Sequence, residues 1–179
     1  MDILLTHGYY LYEDPHELQV MRPYPPLGIL YLSSHLKARG FDVAVFDTTF
    51  SSPQAFRDYV DRERPSVVGI YTNMMTRTNV LAMLRHCKAQ GAMVVLGGPE
   101  PVNYADEYLA RGADAIVAGE GELTLEALLP HLQKHGTSGL AAINGIIYRG
   151  DDGVAAHTPP QALIGNLNAQ PFPDRAAID

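Results

Sequence analysis

The chain has 179 residues, of which 46% are hydrophobic and 18% are charged, and its formal net charge is −7. These values are ordinary for one globular domain with a sizeable core, and an acidic chain without a basic stripe is not expected to bind nucleic acid. No apolar stretch reaches the roughly 18 residues of a membrane span, and the first residues lack the features of a signal peptide. The single cysteine, Cys87, excludes an internal disulfide, which fits a cytoplasmic protein. Because Cys87 lies in a helical pattern, we expect its thiol to be packed in the core.

Short apolar runs alternate with helix-length segments along most of the chain. Each apolar run predicts a buried strand, and each segment between them carries a helical pattern. Strands separated by helices pair in parallel through right-handed crossovers, so the pattern predicts an α/β fold with a doubly wound, mostly parallel five-stranded sheet of the Rossmann-like or flavodoxin-like kind. The predicted strands are 3–6, 41–47, 67–71, 93–96 and 115–118, and the predicted helices are 27–39, 53–63, a segment through Leu81, Leu84 and Cys87, 103–111 and 122–135.

Two regions near the N-terminus and after the fifth helix depart from this alternation. Residues 7–26 predict a long loop, because Asp14-Pro15 and the proline-rich stretch 22–26 act as breakers. The stretch Gly150-Asp151-Asp152-Gly153 lies between two short apolar runs, which predicts a β-hairpin beside the sheet.

The chain from Pro159 onward shows no hydrophobic periodicity and is rich in Pro, Gln, Asn and Ala, which predicts a linker. We therefore divide the chain into an α/β domain over residues 1–140, a hairpin extension of the same domain over 141–158, and a linker over 159–179.

Two of the predicted strands end directly in glycine-rich turns. Gly97-Gly98-Pro99-Glu100-Pro101 follows the fourth strand, and Gly119-Glu120-Gly121-Glu122 follows the fifth. Ligands bind at the carboxyl ends of the strands in open parallel sheets, and glycine lets the backbone approach a ligand closely. The turns therefore predict a ligand along one edge of the sheet. The alternative is that the glycines serve only tight strand-to-helix turns.

Four motifs, taken together, resemble a known family. They are Pro25-Pro26-Leu27-Gly28-Ile29-Leu30-Tyr31-Leu32, Gly97-Gly98-Pro99-Glu100-Pro101, Gly119-Glu120-Gly121-Glu122 and Leu167-Asn168-Ala169-Gln170-Pro171-Phe172-Pro173-Asp174-Arg175. In order and spacing they are similar to the N-terminal cobalamin-binding domain of cobalamin-dependent radical S-adenosylmethionine enzymes. That class includes methyltransferases and the anaerobic cyclase of chlorophyll biosynthesis. The resemblance covers the whole chain.

The resemblance implies cobalamin as the cofactor and a C-terminal radical S-adenosylmethionine domain in cis as the partner. In that family, three closely spaced cysteines of the C-terminal domain hold a [4Fe-4S] cluster, beside which S-adenosylmethionine binds. Because this chain has one cysteine, we expect it to be the binding half of such an enzyme and not catalytic alone. Residues 159–179 would then lead toward the radical domain.

Cobalamin needs a wide platform for its corrin ring and a deep slot for its nucleotide tail. We expect the glycines of the two turns to make room for the tail, and the polar residues after the third strand to bind its polar groups. The candidate cofactor-binding residues are His7, Gly8, Thr72, Asn73, Met74, Thr76, Gly97, Gly98, Pro99, Gly119, Glu120, Gly121 and Glu122. Turn and capping chemistry is the alternative explanation for Thr72 and Asn73, and the helix dipole is the alternative for Glu120 and Glu122.

The lower axial ligand of cobalt is the point at which the sequence departs from better-known cobalamin domains. Those domains place the histidine of an Asp-x-His-x-x-Gly motif on cobalt. His7 lacks both partners, and His16, which has Asp14 before it, has Gln19 at the glycine position. We therefore expect cobalamin to bind base-off without a protein histidine, with His16 as the remaining candidate metal ligand.

Three other classes of function remain open on the sequence alone. A nucleotide- or flavin-binding Rossmann-like domain fits the glycines, although no Gly-x-Gly-x-x-Gly follows the first strand, where a dinucleotide-binding motif belongs. A phosphoacceptor receiver domain requires paired acidic residues after the first strand, where this chain has Thr6-His7. The third class is an interaction module that has lost its cofactor.

Overall fold

The computed structural model describes residues 1–178, which form seven strands in one continuous sheet. The strands are β1 (Ile3–His7), β2 (Val43–Phe46), β3 (Val67–Tyr71), β4 (Met93–Gly97), β5 (Ala115–Val117), β6 (Ile146–Arg149) and β7 (Ala155–His157). Their order in the sheet is β2-β1-β3-β4-β5-β6-β7. The first five strands are parallel, which confirms the predicted doubly wound α/β fold.

The helices cover both faces of the sheet. They are α1 (Pro15–Val20), α2 (Leu27–Ala38), α3 (Pro53–Glu63), α4 (Arg77–Ala89), α5 (Ala105–Ala110) and α6 (Glu122–His135). Helices α2 and α6 bury their aliphatic side chains on one face, and α3, α4 and α5 bury theirs on the other. Cys87 of α4 is buried, as predicted, in the core beneath α3, α4 and α5. Burial raises the pKa of its thiol to about 12. Within residues 1–178, no helix has the length and apolar character needed to cross a membrane.

The predicted hairpin extends the sheet. Strand β6 pairs antiparallel with β5 through Ile116 and Ile147, and β7 pairs antiparallel with β6. The two strands therefore extend the parallel sheet at its edge. The sequence predicts a five-stranded sheet with a hairpin beside it, and the structure has one sheet of seven strands.

The predicted loop over residues 7–26 is partly helical, which corrects that expectation. Asp14 and Pro15 begin helix α1 and do not break one: the Asp14 carboxylate accepts hydrogen bonds from the backbone N–H groups of His16 and Glu17. Aspartate is a favoured N-cap residue, and proline at the first helical position costs no hydrogen bond. The proline-rich stretch 22–26 forms no helix or strand.

The helix predicted over 103–111 is also shorter than expected. A 3-10 turn over Pro101–Tyr104 precedes α5, which begins at Ala105 and ends at Ala110. Residues 159–178 contain two 3-10 turns, Leu167–Ala169 and Arg175–Ala177, and no strand or longer helix. Asp179, the last residue of the predicted linker, lies outside the described residues. The division of the chain at residues 140 and 158 stays a prediction.

The turn after β4 depends on Gly98. Its φ of +103° is a conformation that L side chains rarely adopt, and a Cβ at this position would lie 2.3 Å from the carbonyl oxygen of Thr72. The backbone approaches this closely because Thr72 N–H donates to the carbonyl of Gly97 over 2.8 Å, which joins the loop after β3 to the end of β4. A side chain at Gly98 would therefore meet the protein's own backbone, and the role of this glycine in making room for a ligand stays a prediction.

We predict that Gly98→Ala destabilises the fold by about 1–3 kcal/mol, because the new side chain is strained at positive φ and meets a backbone carbonyl. Gly97→Ala is the matched control, since a Cβ at Gly97 has no heavy atom within 4 Å beyond its chain neighbours. We expect this control to change stability by no more than about 0.5 kcal/mol. Urea unfolding of both variants measures the difference, and equal stabilities would contradict this explanation of Gly98.

Candidate functional site

A cavity of about 300 Å³ lies at the carboxyl ends of the parallel strands, between helices α2 and α6. Strands β1, β3, β4 and β5 form its floor with residues such as Leu5 and Val117, and Leu32 of α2 and Leu125 of α6 form its sides. Six glycines also line it: Gly28, Gly69, Gly97, Gly98, Gly119 and Gly121. The cavity therefore has apolar walls and an unusually bare backbone, which suits a flat apolar group.

The glycines of the lining differ in what surrounds the place that a side chain would take. At Gly97 a side chain would project into empty space, so its absence leaves the rim of the cavity open. At Gly69, in the middle of β3, a Cβ would lie 2.9 Å from Leu5 Cδ2 and 3.1 Å from Ile3 Cδ1, so the neighbouring side chains fill part of the space that its own would take. At Gly121 a Cβ would press on Leu32 Cδ2 at 2.9 Å, so α2 and α6 approach closely at this point.

Gly28 and Gly69 line the cavity but are not among the candidate cofactor-binding residues predicted from the sequence. Gly69 carries a usable signal, because a glycine inside an otherwise branched buried strand marks a bulge or a close approach. Gly28 lies in the first turn of α2, next to the proline-rich stretch, and nothing in its own spacing distinguishes it.

Both predicted glutamates, Glu120 and Glu122, line the mouth of the cavity, and each also has a structural role. Glu120 accepts a hydrogen bond from the backbone N–H of Ile164 at 2.9 Å. Glu122 lies in the first turn of α6, where the helix dipole favours a negative charge. The four predicted glycines and both glutamates of the two turns are therefore brought together at one cavity.

The predicted polar residues after β3 lie at the same edge of the sheet but do not line the cavity. Asn73 and Thr76 bond to each other: Thr76 N–H donates to Asn73 Oδ1 at 3.0 Å, and Asn73 N–H donates to Thr76 Oγ1 at 3.1 Å. Thr72 is fully buried beneath this turn. These contacts are those of turn chemistry, the alternative that the sequence leaves open for Thr72 and Asn73. Their binding of a cofactor stays a prediction.

Pro99 belongs to the turn after β4, is exposed and is not in contact with the cavity. The turn is held from its other side by Glu100, whose buried carboxylate accepts a hydrogen bond from Tyr108 Oη and lies 3.2 Å from Arg77 Nη1. Burial raises the pKa of Tyr108, and the bond to Glu100 raises it further. The charged network therefore fixes the position of the Gly97-Gly98 rim.

His7 is a structural residue within the described part of the chain. Its Nε2 lies 2.8 Å from Asp47 Oδ1, and its Nδ1 accepts a hydrogen bond from the backbone N–H of Tyr9 at 3.2 Å. Burial opposes ionisation of Asp47, but hydrogen bonds from His7 and Thr49 outweigh it and lower the pKa of this carboxyl. Both ring nitrogens are thus engaged inside the protein, away from the cavity.

Gly8 and His16 also lie outside the cavity lining. A Cβ at Gly8 would lie 2.6 Å from Val80 Cγ2, so this glycine allows the chain after β1 to approach α4. His16 is exposed in the first turn of α1. The carboxylate of Asp14 caps that helix through the backbone N–H groups of His16 and Glu17, and the assignment of His16 as a metal ligand stays a prediction.

Large apolar side chains are exposed beside the cavity, at the same edge of the sheet. Tyr71 ends β3 and lines the cavity, and Met74 and Met75 follow it with 81% and 75% of their surface exposed. Tyr24 and Leu27, at the start of α2, are also exposed. Exposed apolar residues that cluster in this way mark a binding surface.

Comparison with known proteins identifies the class of domain. The family model for the B12 binding domain matches residues 19–129, a segment that contains most of the cavity lining. An uncharacterized methyltransferase of Pyrococcus horikoshii, PH0819, is 33% identical over 159 residues, which is 83% of this chain and 33% of that protein. The anaerobic magnesium-protoporphyrin IX monomethyl ester cyclase of Synechocystis is 28% identical over 153 residues, which is 80% of this chain and 30% of that protein.

The fold is also found in a solved structure. The cobalamin-dependent S-adenosylmethionine radical enzyme OxsB, with aqua-cobalamin and S-adenosylmethionine bound, matches 90% of this chain with a TM-score of 0.75 and 20% sequence identity. The match covers 22% of that enzyme, so the chain spans about a third or less of the length of each of these relatives. Because the family model covers more than half of the chain, including β3, β4, β5 and both glycine-rich turns, the chain belongs to the B12 binding domain family.

Proposed function

We propose that this domain binds cobalamin with the nucleotide tail in the cavity between α2 and α6 and with the corrin ring on the exposed apolar edge. The glycine-lined cavity carries this proposal. Its volume of about 300 Å³ is at the lower end of small-molecule sites, which fits one aromatic group better than a whole cofactor. The aliphatic walls suit the dimethylbenzimidazole base of the tail, and the bare rim at Gly97 leaves room for the chain that joins base and ring.

The polar part of the tail fits the mouth of the cavity. Gly121 is the capping residue of α6 and provides no side-chain hydrogen bond to the first turn of that helix. The first N–H groups of a helix have no partner within the helix, so they are available to ribose or phosphate oxygens. Glu120 and Glu122 line the same mouth and suit hydroxyl or amide donors of the cofactor.

We propose further that cobalamin binds base-off, with no protein histidine on cobalt. The absence of a complete Asp-x-His-x-x-Gly motif supports this, as does the engagement of both His7 nitrogens by Asp47 and Tyr9. Bound cobalamin would supply a cobalt centre for methyl or electron transfer. The part of this chain in that chemistry is to hold the tail away from the metal and to present the ring at the edge of the sheet.

The parent protein is proposed to be a cobalamin-dependent radical S-adenosylmethionine enzyme of the methyltransferase or cyclase type. The lengths and names of the relatives support this, since the chain matches only a part of each. The exposed side chains of Tyr24, Met74 and Met75 suit a surface that the corrin ring and a C-terminal radical domain in cis would cover. The iron–sulfur cluster and S-adenosylmethionine would belong to that domain.

The first prediction of this proposal concerns Gly97, where Val should fill the rim of the slot. We expect Gly97→Val to keep the fold, since valine suits a strand and meets no neighbour, but to weaken binding of hydroxocobalamin. Overpacking costs about 1–3 kcal/mol, which corresponds to roughly 5- to 150-fold in Kd. Equilibrium dialysis measures the affinity, and circular dichroism checks the fold.

Ala110→Val is the control for that variant. Ala110 is the exposed last residue of α5, does not line the cavity and lies outside residues 159–178. Unchanged affinity in Gly97→Val would contradict the placement of the tail. Failure of the unaltered protein to retain hydroxocobalamin under any redox condition would contradict cobalamin binding and favour a cofactor-free interaction module.

A second prediction concerns the coordination of cobalt. In the electron paramagnetic resonance spectrum of bound cob(II)alamin, we expect no nitrogen splitting of the cobalt lines, because neither the base nor a histidine is bound to the metal. Nitrogen splitting that disappears in His16→Ala would show that His16 is the ligand. Splitting that survives in both His7→Ala and His16→Ala would instead show that dimethylbenzimidazole stays on cobalt.

A further inference from the structure

Helix α2 buries two polar side chains that bond to residues 170–174. Ser33 and His35 are almost completely buried, at 0% and 1% exposure, although neither contributes to the apolar core. Polar side chains in such positions require partners, and here the partners come from residues 170–174 and from α6. Ile29 and Leu32 of the same helix line the cavity, and each lies one turn from one of these polar residues. One helix therefore contacts both the cavity and the end of the chain.

His35 joins three parts of the molecule. Its Nδ1 lies 2.7 Å from Oε1 of Gln170, and its Nε2 lies 3.0 Å from Oε2 of Glu126 on α6. Arg39 Nε, one turn further along α2, lies 3.3 Å from the same Glu126 oxygen. The imidazole thus connects α2 to α6 and both helices to residue 170.

Asp174 makes the second attachment to α2. Its Oδ2 accepts hydrogen bonds from Ser33 Oγ at 2.7 Å and from Lys37 Nζ at 2.6 Å, and its backbone N–H donates to the carbonyl of Leu30 at 3.1 Å. Partial burial opposes ionisation of Asp174, but the bonds from Lys37 and Ser33 prevail and lower its pKa. Lys37 is well exposed, so solvent weakens its ion pair with Asp174. The partly buried hydrogen bond from Ser33 therefore contributes more to the attachment of Asp174 to α2.

The same segment is attached at the mouth of the cavity. Gly145 N–H donates to the carbonyl of Pro159 at 2.8 Å, and Ile164 N–H donates to the Glu120 carboxylate at 2.9 Å. Glu120 lines the cavity. Residues 159–178 therefore run from the hairpin past the mouth of the cavity to the outer face of α2.

We propose that residues 159–178, which we call the strap, hold α2 at the distance from α6 that the cavity requires, with His35 as the positioning residue. The strap bonds to His35 of α2 and to Glu120, which lies just before α6, and His35 in turn bonds to Glu126 of α6. Leu32 of α2 and Gly121 at the start of α6 are already in close approach there. Release of the strap removes Gln170, the partner that orients the His35 imidazole toward Glu126 of α6, so it loosens α2 against α6 and alters the space for the nucleotide tail. This inference rests on the proposed function, because the tail of cobalamin is the ligand concerned.

Coupling between the strap and the cavity is reciprocal, which provides the test. If strap attachment favours cobalamin binding, then cobalamin binding must favour strap attachment by the same factor. Arg175 is exposed within the strap and is a trypsin site, so its cleavage rate reports release of this segment. We predict that hydroxocobalamin slows cleavage at Arg175 in the unaltered chain.

The double variant Gln170→Ala/Asp174→Ala removes the side-chain partners of His35 and Ser33 in the strap. We expect faster cleavage at Arg175 and an increase in the Kd for hydroxocobalamin of about 5-fold or more, the lower range of measured couplings between sites. Ser33→Ala should change both quantities in the same direction. Ser34→Ala is its matched control, because Ser34 Oγ donates to the Tyr31 carbonyl of its own helix and not to a residue of the strap.

The outcomes separate this inference from the proposed function. Faster cleavage in the double variant with an unchanged Kd would overturn the strap proposal, since the segment would then be released without effect on the cavity. Unchanged cleavage and unchanged Kd would overturn it as well. If the unaltered chain itself does not bind hydroxocobalamin, the proposed function is wrong, and the strap proposal is wrong with it.

Discussion

The structure depends on a gap between one face of the sheet and the two helices that cover it. Aliphatic side chains usually fill such a layer, and each atom without a neighbour loses dispersion energy. Here Gly97 leaves open space at the end of β4, and Leu32 and Leu125 border the gap without closing it. A ligand that fills this space restores the missing contacts and stabilises the folded chain by mass action.

Fixed polar contacts surround the gap and keep its borders in place. Glu100, Tyr108 and Arg77 hold the turn after β4 from one face of the sheet. On the other face His35 joins α2 to α6. His7, the last residue of β1, bonds to Asp47 after β2 and so joins the ends of these two strands. The apolar cavity thus has a rigid polar frame, and this arrangement suits a site that is formed before the ligand arrives.

The sequence predicts the fold and six residues that line the cavity, namely the glycines of the two turns and the glutamates of the second turn. The other candidate residues do not line it, and the reason for this difference is physical. Strand and helix patterns depend on local periodicity, and the turns at Gly97-Gly98 and Gly119-Glu120 follow directly from strand ends, so both could be predicted. The side-chain bonds of Asn73 with Thr76 and of His7 with Asp47 depend on which atoms meet in three dimensions. Spacing alone does not distinguish a polar residue that binds a cofactor from one that closes a turn. Membership of the B12 binding domain family then favours cobalamin over the nucleotide or flavin alternative.

The outer strand of the hairpin also has a consequence for self-association. An exposed sheet edge can pair with the edge of another molecule, and long flat edges lead to aggregation. Strand β7 has only three residues, and the N–H of its first residue, Ala155, donates to the Asp106 carboxylate of α5 at 2.8 Å. A strand from a second molecule would have to displace this bond and would find few free backbone groups beyond it. The hairpin edge of the sheet therefore resists intermolecular β-sheet growth.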